Sequence, residues 1–135
     1  MSHHGANWLN MTKIQKKQEG DVFKAMCPSR PVISRLCGKW SILILVLLKG
    51  SPKRFNEIKK EIQGISQKVL TENLRSLERD GLINRKVYTQ SALKVEYKTT
   101  TEAKELLKIV KQFTNWSEQN WKKLQKNNEI HDSRI

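Results

Sequence analysis

The stretch that most constrains this chain is SQKVLTENLRSLERDG, residues 66–81, because it marks both ends of one helix and also orients it. Ser66 has the short acceptor side chain that closes a helix N-terminus. Gly81 can take the left-handed backbone that commonly ends a helix. Between them Val69, Leu70, Leu74 and Leu77 recur at helical spacing and define an inward face. Gln67, Lys68, Thr71 and Arg75 fall outside that face.

The flanking residues supply what such a helix needs to pack on. Residues 55–62 read as a shorter amphipathic helix, with Phe55, Ile58 and Ile62 on one side. Gln63, Gly64 and Ile65 make a three-residue turn. Downstream, residues 82–88 read as a strand, and residues 93–98, LKVEYK, alternate apolar and polar as a half-buried strand does. Thr89, Gln90, Ser91 and Ala92 lie between them as a hairpin tip. Helix, tight turn, helix and appended hairpin make a winged helix-turn-helix. The expected fold class is mainly α with a small β wing.

The remaining residues read as support. Residues 39–49, KWSILILVLLK, are apolar nearly all round, with Trp40, Ile44, Leu47 and Leu48 in one stripe, so this helix is expected at the centre of the core. Gly50, Ser51 and Pro52 end it, and Lys53–Arg54 reads as an extended link. Upstream, Asp21 could cap a short helix reaching residue 25 or 26. A second helix can begin near Pro31 and end at Gly38. After the wing, Thr99 or Thr100 caps a last helix, Thr99 with Glu102 at capping-box spacing. That helix carries Leu106, Ile109, Val110, Phe113, Trp116 and Leu124. The expected domains are an N-terminal arm, 1–20, a winged helix-turn-helix domain with its dimerisation helices, 21–127, and a frayed tail, 128–135.

Charge points to the partner. The chain has 135 residues, enough for one domain with a real core, and a net charge of +13. Residues 39–100 hold thirteen basic and six acidic side chains, so over half of the excess sits on the candidate binding unit. Such an excess favours a polyanion. A helix N-terminus entering a major groove presents side chains to base edges while its amides favour phosphate. On that reading the recognition set is Ser66, Gln67, Lys68, Thr71 and Arg75. Gln67 can pair with adenine, Lys68 and Arg75 can reach guanine or phosphate, and Thr71 can touch a thymine methyl or donate to phosphate. The wing offers Arg85, Lys86, Gln90 and Lys94, and Lys39, Lys53 and Arg54 are candidate phosphate clamps. Each of these could equally be a solvated charge. The expected partner is double-stranded DNA, with RNA or a protein partner as the alternative use of the same module.

Enzyme chemistry finds little to work with. The histidines are His3, His4 and His131, all in terminal segments, and no paired carboxylates, metal-ligand spacing or phosphate loop is present. No cofactor and no metal are expected. Two cysteines, Cys27 and Cys37, are too few for a disulfide scaffold, so a cytoplasmic setting is expected. The first twenty residues lack the apolar core of a secretory signal, and the longest apolar run, residues 42–48, is too short to span a bilayer. Of the tryptophans, Trp40 and Trp116 fall on expected core faces, and Trp121 is a candidate dimer anchor.

These residues bring the chain to a family. CP at Cys27–Pro28, GKW at Gly38–Trp40, KRF at Lys53–Phe55, residues 64–85 (GISQKVLTENLRSLERDGLINR) and VEYKTT at residues 95–100 together resemble the HxlR-type winged-helix transcriptional regulators, a branch near the MarR group. The chain departs from the usual pattern at Cys37, at Ala103 and in the length of its N-terminal arm. The resemblance implies a homodimer that binds an inverted repeat and represses or activates nearby genes, with an effector unknown here. Two-fold protein symmetry suits pseudo-palindromic DNA. The expected dimer surface comes from the N-terminal helices and the last helix, with Val22, Phe23, Phe113, Trp116 and Trp121. The resemblance also implies that the cysteine of the CP motif, Cys27, can act as a thiol switch. Its place near a helix start among Lys24, Arg30 and Arg35 agrees with thiolate chemistry, while an inert buried thiol is the plainer alternative. Cys37 reads as structural.

Overall fold

Capping and proline chemistry decide where the helices begin and end. The computed structural model describes residues 21–88 and 94–134. The expected N-terminal arm, the hairpin tip with Gln90, and Leu93 lie outside the described residues. The chain divides into two compact units after Gly38.

In the first unit, Asp21 does not cap a helix. Its carboxylate accepts the Phe23 amide at 3.2 Å. Turns closed by Lys24 N–H to the Asp21 carbonyl and Cys27 N–H to the Lys24 carbonyl carry the chain to Pro28. So short a segment does not nucleate, and Pro28 has no amide with which to extend it. Helix α1 (Ser29–Leu36) begins two residues before Pro31, which sits in the first turn, where a missing N–H loses no intrahelical bond. Cys37, not Gly38, is the C-cap, donating its amide to the Ile33 carbonyl. Cys27 is buried and Cys37 exposed, the reverse of a structural reading for Cys37.

The second unit runs α2 (Lys39–Gly50), β1 (Lys53–Arg54), α3 (Phe55–Glu61), α4 (Gln67–Arg79), β2 (Ile83–Tyr88), β3 (Lys94–Thr99), a 3-10 turn (Thr101–Ala103) and α5 (Lys104–Asp132). Its core gathers Ile44, Leu45 and Leu48 of α2, Ile58 of α3, Leu70, Leu74 and Leu77 of α4, Ile83 of β2, and Leu107 and Val110 of α5. Helix α2 lies at the centre of this core, as its composition promised, but it is not covered all round. Leu43 and Val46 are exposed and line an open groove of about 540 Å³ beside Leu107, Val110 and Thr114 of α5.

The described strands form one antiparallel sheet in the order β1-β3-β2. β1, expected only as a link, pairs Lys53 with Tyr97 and Arg54 with Glu96. The 3-10 turn replaces the expected capping box. Thr99 ends β3, and the Thr100 hydroxyl donates to the Gly81 carbonyl at 2.6 Å instead of capping the helix. α5 then runs to Asp132, through residues expected to fray. Its apolar residues split between two faces. Leu107 and Val110 are buried, whereas Ile109, Phe113, Trp116 and Leu124 stand exposed. Trp116 is 51 % exposed and is not a core residue.

Candidate nucleic-acid interface

Backbone geometry fixes the turn between α3 and α4 and also the far end of α4. Gly64 takes φ of 91°, a conformation that side chains with a Cβ rarely adopt. Ser66 caps α4 as its sequence position predicts, its hydroxyl accepting the Val69 amide at 3.1 Å. At the other end Gly81, with φ of 78°, closes the helix. Its amide donates to the Glu78 carbonyl and that of Leu82 donates to the Leu77 carbonyl, both at 3.0 Å. This is the paired Schellman arrangement, and it satisfies carbonyls that would otherwise be orphaned.

With its ends fixed, α4 sorts its residues by face. Leu70, Leu74 and Leu77 are buried, while Ser66, Gln67, Lys68 and Arg75 are exposed. Gln67, Thr71, Arg75 and Lys68 fall within an arc of roughly 100° around the helix axis. Thr71 is half-buried, and its hydroxyl donates to the Gln67 carbonyl at 2.8 Å. Its proton is thereby engaged within the helix, which leaves the methyl group, not a phosphate donor, as its outward chemistry.

The sheet register separates the wing cations into two sets. Cross-strand partners share a face, and successive residues alternate. Arg85 lies opposite Tyr97, which lies opposite Lys53 on the other side. That face is the one carrying buried Ile83. Here Arg85 approaches Glu78 of α4 at 3.8 Å, and Lys53 meets Glu61 at 3.2 Å. Burial pushes the Tyr97 phenol above its ordinary value, with the Arg85 and Arg75 guanidinium groups pulling against it. Arg85 and Lys53 thus tie the sheet to its helices. The opposite face gathers Arg54, Lys86 and Lys94 around Glu96. Lys86 lies 5.0 Å from the Tyr88 ring, and the Tyr88 hydroxyl donates to Glu96 at 2.9 Å, which raises the phenol's pKa. Lys98 shares this outward face, opposite Asn84. It is a candidate that reading the chain one residue at a time passed over, although strict alternation from Lys94 and Glu96 would have placed it there.

Lys39 is exposed and stacks 4.3 Å from the Trp40 ring. That ring lies beside the turn, 3.9 Å from where a Cβ on Gly64 would stand. The Arg54 amide donates to Glu57 at 2.9 Å, which closes the start of α3, and the Arg54 side chain is exposed. Among the described residues no group of three or more acidic, His or Cys side chains is placed to hold a metal ion. No single described helix is long and apolar enough to cross a membrane.

The expected dimer residues are likewise placed. Val22 and Phe23 of the first unit are exposed, as are Phe113, Trp116 and Trp121 on α5. Phe113 and Trp116 share one stripe with Ile109. Trp121 lies off it, in line with Val110 but roughly three turns further on.

Comparison with known proteins agrees with this geometry. Residues 35–125 match the HxlR-like helix-turn-helix family. The uncharacterized HTH-type transcriptional regulator YtfH of Escherichia coli is 36% identical over 106 residues, covering 78% of this chain and 84% of that protein. The solved structure of the transcriptional regulator YtfH from Salmonella typhimurium superposes with a TM-score of 0.77 at 33% identity, covering 82% of this chain and 99% of that one. The redox regulator HypR in its reduced form gives a TM-score of 0.68 at 36% identity, over 73% of this chain and 98% of that one.

Proposed function

We propose, on the premise that this chain belongs to the HxlR-like helix-turn-helix family and is a transcriptional regulator, that it binds double-stranded DNA sequence-specifically, as a homodimer on an inverted repeat, and acts as a repressor. One observation carries the reading. Gln67, Lys68 and Arg75 stand exposed on one arc of a helix whose other side is locked into the core and whose N-terminus is capped by Ser66. Such a helix is a rigid polar edge suited to a major groove. Arg54, Lys86, Lys94 and Lys98, on the outward face of the sheet, are suited to the flanking phosphates.

The dimer reading rests on α5. Its exposed stripe of Ile109, Phe113, Trp116 and Leu124 is too apolar to be left in water along a helix roughly 44 Å long. A second copy, contributing Val22, Phe23 and Trp121 as well, is the proposed cover. Thiol control is proposed as well, since HypR, to which the chain is similar, is a redox regulator. Cys27 is buried, so an oxidant reaches it only if its surroundings open. Oxidation would then be coupled to rearrangement near the dimer surface.

The test is a gel-shift titration with the DNA upstream of the protein's own and neighbouring genes. A preferred fragment should emerge, with affinity falling against salt at a log–log slope of about −0.9 per phosphate neutralised. Equal affinity for scrambled duplex at every salt concentration would refute the specific reading. For the thiol, Cys27→Ser should bind as the native chain does and lose the oxidant response.

A further inference from the structure

The back of α4 carries a polar contact that the DNA-binding reading does not use. Ser41 of α2 is the buried polar side chain among the described residues, 4% exposed in a core otherwise made of Ile, Leu, Val, Ala and Cys. Its hydroxyl donates to Asn73 Oδ1 at 3.1 Å. Asn73 Nδ2 in turn donates to the Val69 carbonyl, one turn back on α4, at 2.8 Å. The amide of Asn73 is therefore oriented at both ends, and it joins the core helix to the recognition helix.

Placement gives the contact its meaning. Asn73 sits on the side of α4 away from the Gln67–Arg75 arc, among the positions of Val69, Leu70 and Leu77. The leucines hold α4 against the core, but apolar contact is non-directional and tolerates small rotations. A hydrogen bond is directional and does not. A turn of roughly 20° about the helix axis moves a side-chain tip about 6 Å out by about 2 Å. That exceeds the roughly 0.5 Å within which a binding constellation must be held. Rotating α4 would preserve most of its burial and still misaim Gln67, the base-reading side chain.

We propose that Ser41 and Asn73 are a positioning pair that fixes the rotation of α4 about its own axis, and so sets base discrimination without touching DNA. The inference rests on the DNA-binding reading above. It separates two properties that usually fall together, affinity for DNA in general and preference for one sequence.

The experiment measures the ratio of operator to scrambled-duplex affinity, the salt slope and the melting temperature for the full chain. The variants are Ser41→Ala, Asn73→Leu and the double variant, with Ser41→Thr as the conservative control that keeps a hydroxyl. Ser41→Ala and Asn73→Leu should each lower the ratio by about tenfold, comparable to losing one base contact, with scrambled-duplex affinity and salt slope unchanged. The double variant should lose no more than the larger single loss, because both remove one link. Ser41→Thr should retain the native ratio. If melting falls in the variants while the ratio stays native, the pair is structural only and the inference is overturned. A native chain without operator preference removes the premise itself, which is a separate and visible failure. Ser41→Ala removes a single oxygen, so at least one variant remains folded for the comparison.

Discussion

Helices α4 and α5 start from the same device and end at opposite surfaces. Each buries one apolar side, Leu70, Leu74 and Leu77 in α4, Leu107 and Val110 in α5. The free side of α4 is polar and cationic, with Gln67, Lys68 and Arg75. That of α5 is apolar, with Ile109, Phe113 and Trp116 each more than half exposed. α4 is closed by a side-chain cap at one end and a Schellman turn at the other. α5 has no side-chain cap, and every described residue from Trp121 onward is exposed. The difference teaches what each surface is built to meet. A capped helix with a charged edge is complete by itself, and DNA is the partner proposed for that edge. A long helix with an exposed aromatic stripe is the one for which a second apolar surface is proposed.

The largest break in this comparison comes from giving α5 the charge that α4 has. Phe113→Glu with Trp116→Glu should convert the dimer to a monomer in sedimentation at micromolar concentration. Losing the second, linked half-site should weaken operator binding on the order of 10²- to 10⁴-fold. Amides of residues 121–132 should also exchange faster in the variant, since among the described residues nothing covers them. A native chain that sediments as a monomer would undo the contrast between the two helices.

Next in size is removal of the polar edge from α4. Gln67→Ala should cost about 1–3 kcal/mol of operator affinity and relax preference at a single base pair. Lys68→Ala should weaken all sequences alike and make the salt slope shallower by about 0.9, as loss of one phosphate contact does. If the two variants behave identically, the arc does not divide into reading and clamping residues.

Much of this was legible from residues because the signals are local. Ser66, Gly64 and Gly81 announce the turn and both ends of α4, and the Leu70–Leu74–Leu77 spacing announces its buried side. What escaped depends on pairing between distant segments. Lys53–Arg54 becomes a strand only because Tyr97 and Glu96 lie beside it. The Thr100 hydroxyl leaves its capping role because the Gly81 carbonyl is within reach. Helical spacing placed Phe113 and Trp116 with Val110, but one helix can carry two apolar sides, and only packing tells which of them meets the core. The Ser41–Asn73 bond is of the same kind, spanning 32 residues with no sequence pattern to mark it. Wing cations looked equivalent as a list, and register divided them.

The smallest effect tests the claim that α4 is self-sufficient. Ser66→Ala removes the hydroxyl that accepts the Val69 amide and leaves that donor to water. The expected loss is about 1 kcal/mol of folding stability, which lowers the melting temperature by roughly 3–5 °C for a chain of this length. Operator affinity should fall modestly as well, because an N-terminus that frays no longer holds Gln67 and Lys68 at fixed positions. No matching effect is expected from Thr100→Ala on the start of α5, since that hydroxyl serves the Gly81 carbonyl. Its loss should instead loosen the closing turn of α4, which amide exchange at Gly81 and Leu82 can detect. If Thr100→Ala disturbs α5 and leaves that turn unchanged, the two helices are not closed in the different ways their hydrogen bonds describe.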